Sequence, residues 1–241
     1  MPSSRDVEAV SPLVDEYSRL LSFAAHELRT PASVIGGYLR MLQSDTSQTL
    51  SDRHRTLVDH AAKSCLRLIE LIAELSEVGK LDNGTAPVHI ETFDLFSDLD
   101  DVAASVVEGR DRDVTFAVTG AASGAVLTGD RQRLTTAFSA IFRALLREQG
   151  LPIAVCAERR IVQHPSGRTA VVAIAPVNAL AGALERPAVP FEVRRGGMGL
   201  SLPIARRVIE HTGGRVWTPL IEGDGNQPLK SVAIVSIPLA G

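Results

Sequence analysis

His26, Glu27 and Thr30 are the residues whose types and spacing could do chemistry in this chain. Glu27 follows His26 directly and Thr30 lies one turn on, so in a helix a carboxylate and a hydroxyl gather around one imidazole. Val14, Tyr17, Leu21, Ala24, Leu28, Pro31, Ile35, Tyr38 and Leu42 recur at alternating steps of three and four, the seam of a coiled coil or bundle. On that register His26 takes the outermost position, where a group must sit to react with another macromolecule. Pro31 strengthens the reading. It removes the backbone hydrogen bond to the carbonyl of Glu27, at a cost of about 3 kcal/mol, and a helix with no use for that distortion would seldom carry it.

The elements around His26 follow from pattern. A first helix is expected over 12–43, after a flexible N-terminus of residues 1–11. A polar turn at 44–51 follows, then a second helix capped by Ser51 or Asp52. That helix carries two adjacent apolar stripes, Val58, Ala61, Cys65, Leu68, Ile72 and Leu75 on one and Leu57, Leu71 and Val78 on the other. Two stripes need more neighbours than one partner helix supplies, so residues 12–83 read as a helical hairpin that dimerises into a four-helix bundle. Gly79 and Asn83-Gly84 end it.

From residue 88 the periodicity changes. Strands are expected at 88–92, 114–118, 125–128, 153–157, 161–163, 170–175, 215–218 and 231–237, with helices at 95–106, 130–148 and 203–211. The fold class is therefore α+β: a helical hairpin, then an α/β sandwich over 88–241.

Composition excludes several functions. With 241 residues, 45% hydrophobic and 22% charged, the chain can bury the cores of two domains. A net charge of −3 and a pI near 6.1 offer no basic field to nucleic acid. No apolar run is long enough for a membrane span and Met1–Val10 is not a secretory signal, so a cytoplasmic protein is expected. Cys65 and Cys156 read as buried reduced thiols without metal-ligand spacing.

His26-Glu27-Leu28-Arg29-Thr30-Pro31, preceded by Phe23, resembles the phosphoacceptor box of two-component sensor histidine kinases. The resemblance implies a homodimer in which His26 takes up a phosphoryl group and passes it to an aspartate of a response-regulator receiver domain. It makes Glu27 the acidic neighbour that polarises the imidazole and Thr30 the residue that can orient water for dephosphorylation. It also docks the receiver below the histidine, where Ser33, Gly37 and Arg40 continue the same face and small Ser33 and Gly37 leave room for a helix.

The second domain resembles the ATP-binding domain of the same family. Gly197-Met198-Gly199-Leu200-Ser201-Leu202 matches its second glycine box, and Ile204–Glu210 with Gly213-Gly214-Arg215-Val216-Trp217 the helix and strand after it. Other parts depart from the pattern. Where the family's helix carries asparagines, one of them a magnesium ligand, this chain has Ala140 and Ala144, whose methyls cannot ligate a hard cation. After the strand at 170–175 stands Pro176-Val177-Asn178-Ala179-Leu180-Ala181 in place of the aspartate and glycines that read adenine, and no carboxylate occurs between Thr169 and Leu184. The lid is cut to about 185–196, with Pro187 and Pro190 in it.

Each lost charged hydrogen bond is worth roughly 1.5–3 kcal/mol, so two or three losses lower nucleotide affinity by orders of magnitude. The expectation is a histidine phosphotransferase that binds no ATP or metal, with Gly197 and Gly199 vestigial. Magnesium would be supplied in the receiver's acidic site, and phosphate would come from receivers or an upstream kinase. A working ATP-dependent autokinase and a non-catalytic regulator of a kinase or receiver stand as alternatives.

Overall fold

Two long helices begin the chain in the computed structural model, which describes residues 4–44, 50–165, 167–180, 183–193, 199–220 and 231–239. Helix α1 spans Ser4–Ser44 and α2 spans Asp52–Asp82. They belong to the first of two compact units, Met1–Ala86 and Pro87–Gly241. Of the segment 1–11 expected to be flexible, residues 1–3 lie outside the described residues and 4–11 are helix, α1 running from Ser4 through Pro12 and Pro31. No glycine or proline interrupts residues 4–11. Helix α2 starts at Ser51, whose hydroxyl accepts from the His54 N–H at 3.4 Å. It ends where the Asn83 N–H returns to the Gly79 carbonyl and Gly84 takes a positive φ of 64°.

The hairpin closes on small residues, not on the seam read from the sequence. Among the described residues of α1 the buried positions are Ser18, Ala25, Ala32 and Gly36. Facing them on α2 are Cys65, Ile72 and Gly79, with Ile69 and Leu75 packed alongside. A methyl on Gly36 would stand 3.3 Å from Cys65 Sγ, and one on Gly79 would stand 2.5 Å from Ser22 Oγ and 3.1 Å from the Ser18 carbonyl oxygen. Cys65 Sγ donates to the Ala32 carbonyl at 3.3 Å, as the backbone there is close enough to reach. Helix α2 thus lies against the flank of the expected seam, and Tyr17, Leu28, Ile35, Tyr38 and Leu42 stay exposed within one chain. Of the α2 stripes, Cys65, Ile72 and Val78 are buried, whereas Leu57, Ala61 and Leu68 are exposed.

The second unit is the expected mixed α/β layer. Strands β1 (Glu91–Asp94) and β3 (Val126–Gly129) pair antiparallel. Among the described residues the main sheet has six strands, in the order β2-β4-β5-β8-β7-β6. These are β2 (Thr115–Gly120), β4 (Ala154–His164), β5 (Gly167–Pro176), β6 (Ala188–Pro190), β7 (Arg215–Pro219) and β8 (Ala233–Leu239). Among these strands only β2 and β4 pair in parallel. Helices α3 (Leu95–Ser105), α4 (Arg131–Arg147) and α5 (Ser201–His211) supply the other layer, α4 packing between α3 and α5. Asp94 and Asp130 cap α3 and α4. The Phe116 ring meets Phe142 of α4 edge-on at 4.9 Å, which marks the helix-facing side of the sheet.

The strand expected at 88–92 lies at Glu91–Asp94, and two larger strand expectations change. Residues 153–157 and 161–163 form one strand, β4, paired with β5 along its length. Glu158, Arg159 and Arg160 looked like a break, but strand alternation separates them. Arg160 and Glu158 pair at 2.6 Å on the outer side. Arg159 enters the helix side only 4% exposed, where it donates to the Phe96 carbonyl at 2.5 Å, the Asp100 carboxylate at 3.0 Å and the Thr119 carbonyl at 3.4 Å. The second change lies in the expected lid, where Ala188–Pro190 is an edge strand on β7.

Candidate functional site

His26 stands free on α1. Its side chain is 77% exposed, and Nδ1 lies 3.6 Å from Glu27 Oε1, within ion-pair range but beyond a hydrogen bond. Nε2 is the ring nitrogen away from that carboxylate. Helical geometry explains the exposure: Ala25 and Ala32 point at Ile72, and the next residue on a helix is turned about 100° away. Thr30, Ser33 and Arg40 are exposed as expected, and Gly37 is half-buried with nothing within 4 Å of the methyl an alanine would add. The structure therefore brings His26, Thr30, Ser33, Gly37 and Arg40 to one side of α1, clear of α2.

In the second unit Ala140 is half-buried and Ala144 buried on α4. Gly199 precedes α5 with a φ of +78°, while Gly197 lies outside the described residues. Beyond β5 the chain makes a single 3-10 turn, Val177–Ala179, with Val177 and Asn178 exposed. It then turns onto the sheet face that the helices leave bare. Ala183 is buried against Val171, Ala173 and Ile234, with Leu180, Leu184, Val162 and Trp217 around it. The β5–β8 and β7–β8 registers put Val171, Ala173, Ile234 and Trp217 on one side, opposite the helices. Sequence reading missed this strap, although the apolar spacing of Leu180, Ala183 and Leu184 signals a buried face.

Residues 16–84 match the family model of the His Kinase A (phospho-acceptor) domain, a span that includes His26 and both helices of the hairpin. The hairpin is a His Kinase A (phospho-acceptor) domain, and the chain as a whole is similar to two-component sensor histidine kinases. Among curated proteins similar to it, sensor protein GacS of Pseudomonas syringae pv. syringae is 26% identical over 222 residues, covering 87% of this chain and 24% of GacS. Sensor protein kinase WalK of Staphylococcus aureus strain MRSA252 is 22% identical over 232 residues, 91% of this chain and 37% of WalK. The chain thus spans well under half the length of either sensor kinase. The histidine-kinase fold is seen in full-length ShkA, solved in complex with AMPPNP, at a TM-score of 0.66 and 20% identity over 92% of this chain and 46% of ShkA. Histidine kinase AdeS of Acinetobacter baumannii superposes with a TM-score of 0.51 and 16% identity over 90% of this chain and 98% of AdeS. Among the described residues, no helix is long and apolar enough to cross a membrane.

Proposed function

We propose that this chain is a histidine phosphotransfer protein of two-component signalling that works without ATP. The observation that carries the reading is the imidazole of His26, exposed beside Glu27 on a face that α2 leaves clear. His26 Nε2 attacks the phosphorus of a receiver aspartyl phosphate; the N–P bond forms as the P–O bond to the aspartate breaks, and the freed carboxylate stays on the receiver. Transfer to a second receiver runs the same exchange in reverse. Glu27 stabilises the positive charge that grows on the ring, and Thr30 positions water when the phosphoryl group is hydrolysed instead. Such a reaction asks chiefly for alignment and charge stabilisation. Ser33, Gly37 and Arg40 receive the partner helix, the open space at Gly37 giving it room.

A receiver partner draws support from ThkA, a histidine kinase of this fold solved in complex with response regulator TrrA, at a TM-score of 0.50 and 19% identity over 97% of this chain and 64% of ThkA. The exposed row of Tyr17, Leu28, Ile35, Tyr38 and Leu42 supports the homodimer. On the heptad wheel this row lies about a quarter turn from the flank that holds α2, the disposition of the two neighbours of each helix in a four-helix bundle.

Independence from ATP rests on chemistry at two places. Ala140 and Ala144 give magnesium no oxygen, so the residues present do not fit a metal-bound triphosphate. The chain after β5 is spent on covering the outer sheet face through Ala183. The name of WalK, a sensor protein kinase, favours a second reading, an ATP-dependent autokinase.

One experiment separates them. The full chain is incubated with labelled ATP and magnesium, and separately with a panel of phosphorylated receivers. Label from receivers alone, lost in His26→Gln, is expected. Label from ATP, or saturable binding of a fluorescent ATP analogue, establishes the autokinase. Relay that survives His26→Gln removes His26 from the mechanism.

A further inference from the structure

The two edges of the main sheet are built differently. At one end β6 is three residues long, ends in Pro190 and follows Pro187, features that block further pairing. At the other, β2 reads Thr-Phe-Ala-Val-Thr-Gly, with neither a charge nor a proline to protect it. Its bonds to β4 are made by alternate residues: the Thr115 N–H donates to the Ile153 carbonyl and the Ala121 N–H to the Arg159 carbonyl. In a parallel pair the intervening residues, Phe116, Val118 and Gly120, turn their N–H and C=O groups to the open edge. Such a row is a template for another strand.

A groove accompanies this edge. A cavity of about 290 Å³ lies between α3 and β2, lined by Ala103 and Ala104 on one side and Val114, Phe116 and Val118 on the other. Asp100, Glu108 and Arg110 are its charged members. Asp100 already holds Arg159 at 3.0 Å, and Glu108 holds Arg147 at 2.9 Å. Arg110 is exposed, and among the described residues its guanidinium donates only to the Val106 carbonyl, at 3.5 Å, and makes no ion pair. It sits just before β2, at the end of the groove where that strand starts. Open backbone groups, alternate apolar side chains and one uncommitted cation at the strand's start suit an extended peptide.

We propose that β2 and α3 form a docking groove for an extended peptide segment of another protein. The segment adds antiparallel to β2, takes backbone hydrogen bonds from Phe116, Val118 and Gly120, and sinks apolar side chains from every second position between α3 and β2. Its C-terminal end falls over Thr115 and sets a carboxylate against Arg110. This surface is separate from His26 and does not depend on the phosphotransfer reading.

The test uses the full chain and a random library of ten-residue peptides with free C-termini. Enriched peptides are expected to alternate apolar residues and to place a carboxylate at the C-terminal end. Val118→Pro removes an N–H that the sheet does not use, and Arg110→Ala removes the cation; each is expected to weaken binding by about tenfold or more, the loss of one hydrogen bond or charge contact. Thermal unfolding establishes that both variants are folded, and Arg110→Ala, a surface change, decides if Val118→Pro is not. Failure to enrich any peptide, enrichment without alternation, or unchanged binding to the folded variants overturns the proposal. So does self-association of the chain that Val118→Pro abolishes, which would give this edge to a second copy.

Discussion

Ala25 and His26 are neighbours in sequence and opposites in environment: Ala25 is 0% exposed against α2, and the His26 side chain is 77% exposed. One step along α1 separates the residue that fixes the hairpin from the residue proposed to react. The two can therefore be altered independently. His26→Gln is expected to abolish labelling by phosphorylated receivers while changing hairpin stability by less than about 0.5 kcal/mol, the usual range for a surface site. Glu27→Gln should retain labelling at a rate lower by about ten- to a hundredfold, below the full range for a general catalyst because the 3.6 Å contact is loose. Rapid-quench transfer assays and circular dichroism melts measure both.

Two glycines in the hairpin should respond to alanine with opposite signs. Alanine gains about 1 kcal/mol of helix propensity over glycine wherever its methyl fits. At Gly37 nothing lies within 4 Å, so Gly37→Ala is expected to stabilise by about 0.5–1 kcal/mol. At Gly79 the methyl meets Ser22 Oγ at 2.5 Å and the Ser18 carbonyl at 3.1 Å, and backbone cannot swing aside. Gly79→Ala should therefore destabilise by about 1–2 kcal/mol net, overpacking outweighing propensity. Denaturant melts of the two variants compare them, and equal shifts would mean that the helices are not in close contact there.

Arg159 ties the edge of the sheet to α3 through Phe96 and Asp100. Replacing it with methionine keeps much of the volume but leaves buried carbonyls without their donor. Asp100 is half exposed and can return to water, so the loss should be about 2–3 kcal/mol, less than for a fully buried ion pair. A fall in the unfolding midpoint of the second unit, with the hairpin transition unmoved, is the expected result.

Glu108 links stability to pH. Burial alone raises its pKa, but its own backbone N–H, the hydrogen bond from Arg147 and the charges of Arg143 and Arg147 outweigh that and hold it below the ordinary 4.5. A carboxylate with a lowered folded pKa adds stability that is fully present above the unfolded value and is lost as pH falls through the folded one. Stability should thus be level above about pH 5 and decline below about 4.5 from this source. Glu108→Gln should cost about 1–2 kcal/mol at pH 7 and flatten the acid limb. Urea melts at pH 3.5, 5 and 7 test this; a decline of the same steepness in the variant would assign it to other carboxylates.

The sequence by itself determined the hairpin, the alternation of strands and helices after residue 88, and the solvent-facing position of His26. Each is a matter of local period and breaker residues, which the chain carries wherever it goes. Tertiary structure decided which flank of α1 meets α2. The larger Tyr17, Leu28 and Ile35 look like the natural seam, yet only the small side chains of Ser18, Ala25 and Ala32 with Gly36 let two backbones approach. It also joined β4 across Glu158-Arg159-Arg160, because Arg159 finds its carbonyl acceptors on Phe96 and Thr119, which lie 63 and 40 residues away. The spacing of Leu180, Ala183 and Leu184 signals a buried face, but which sheet face that strap covers, and that β2 is the strand left at the edge, only the assembled sheet settles.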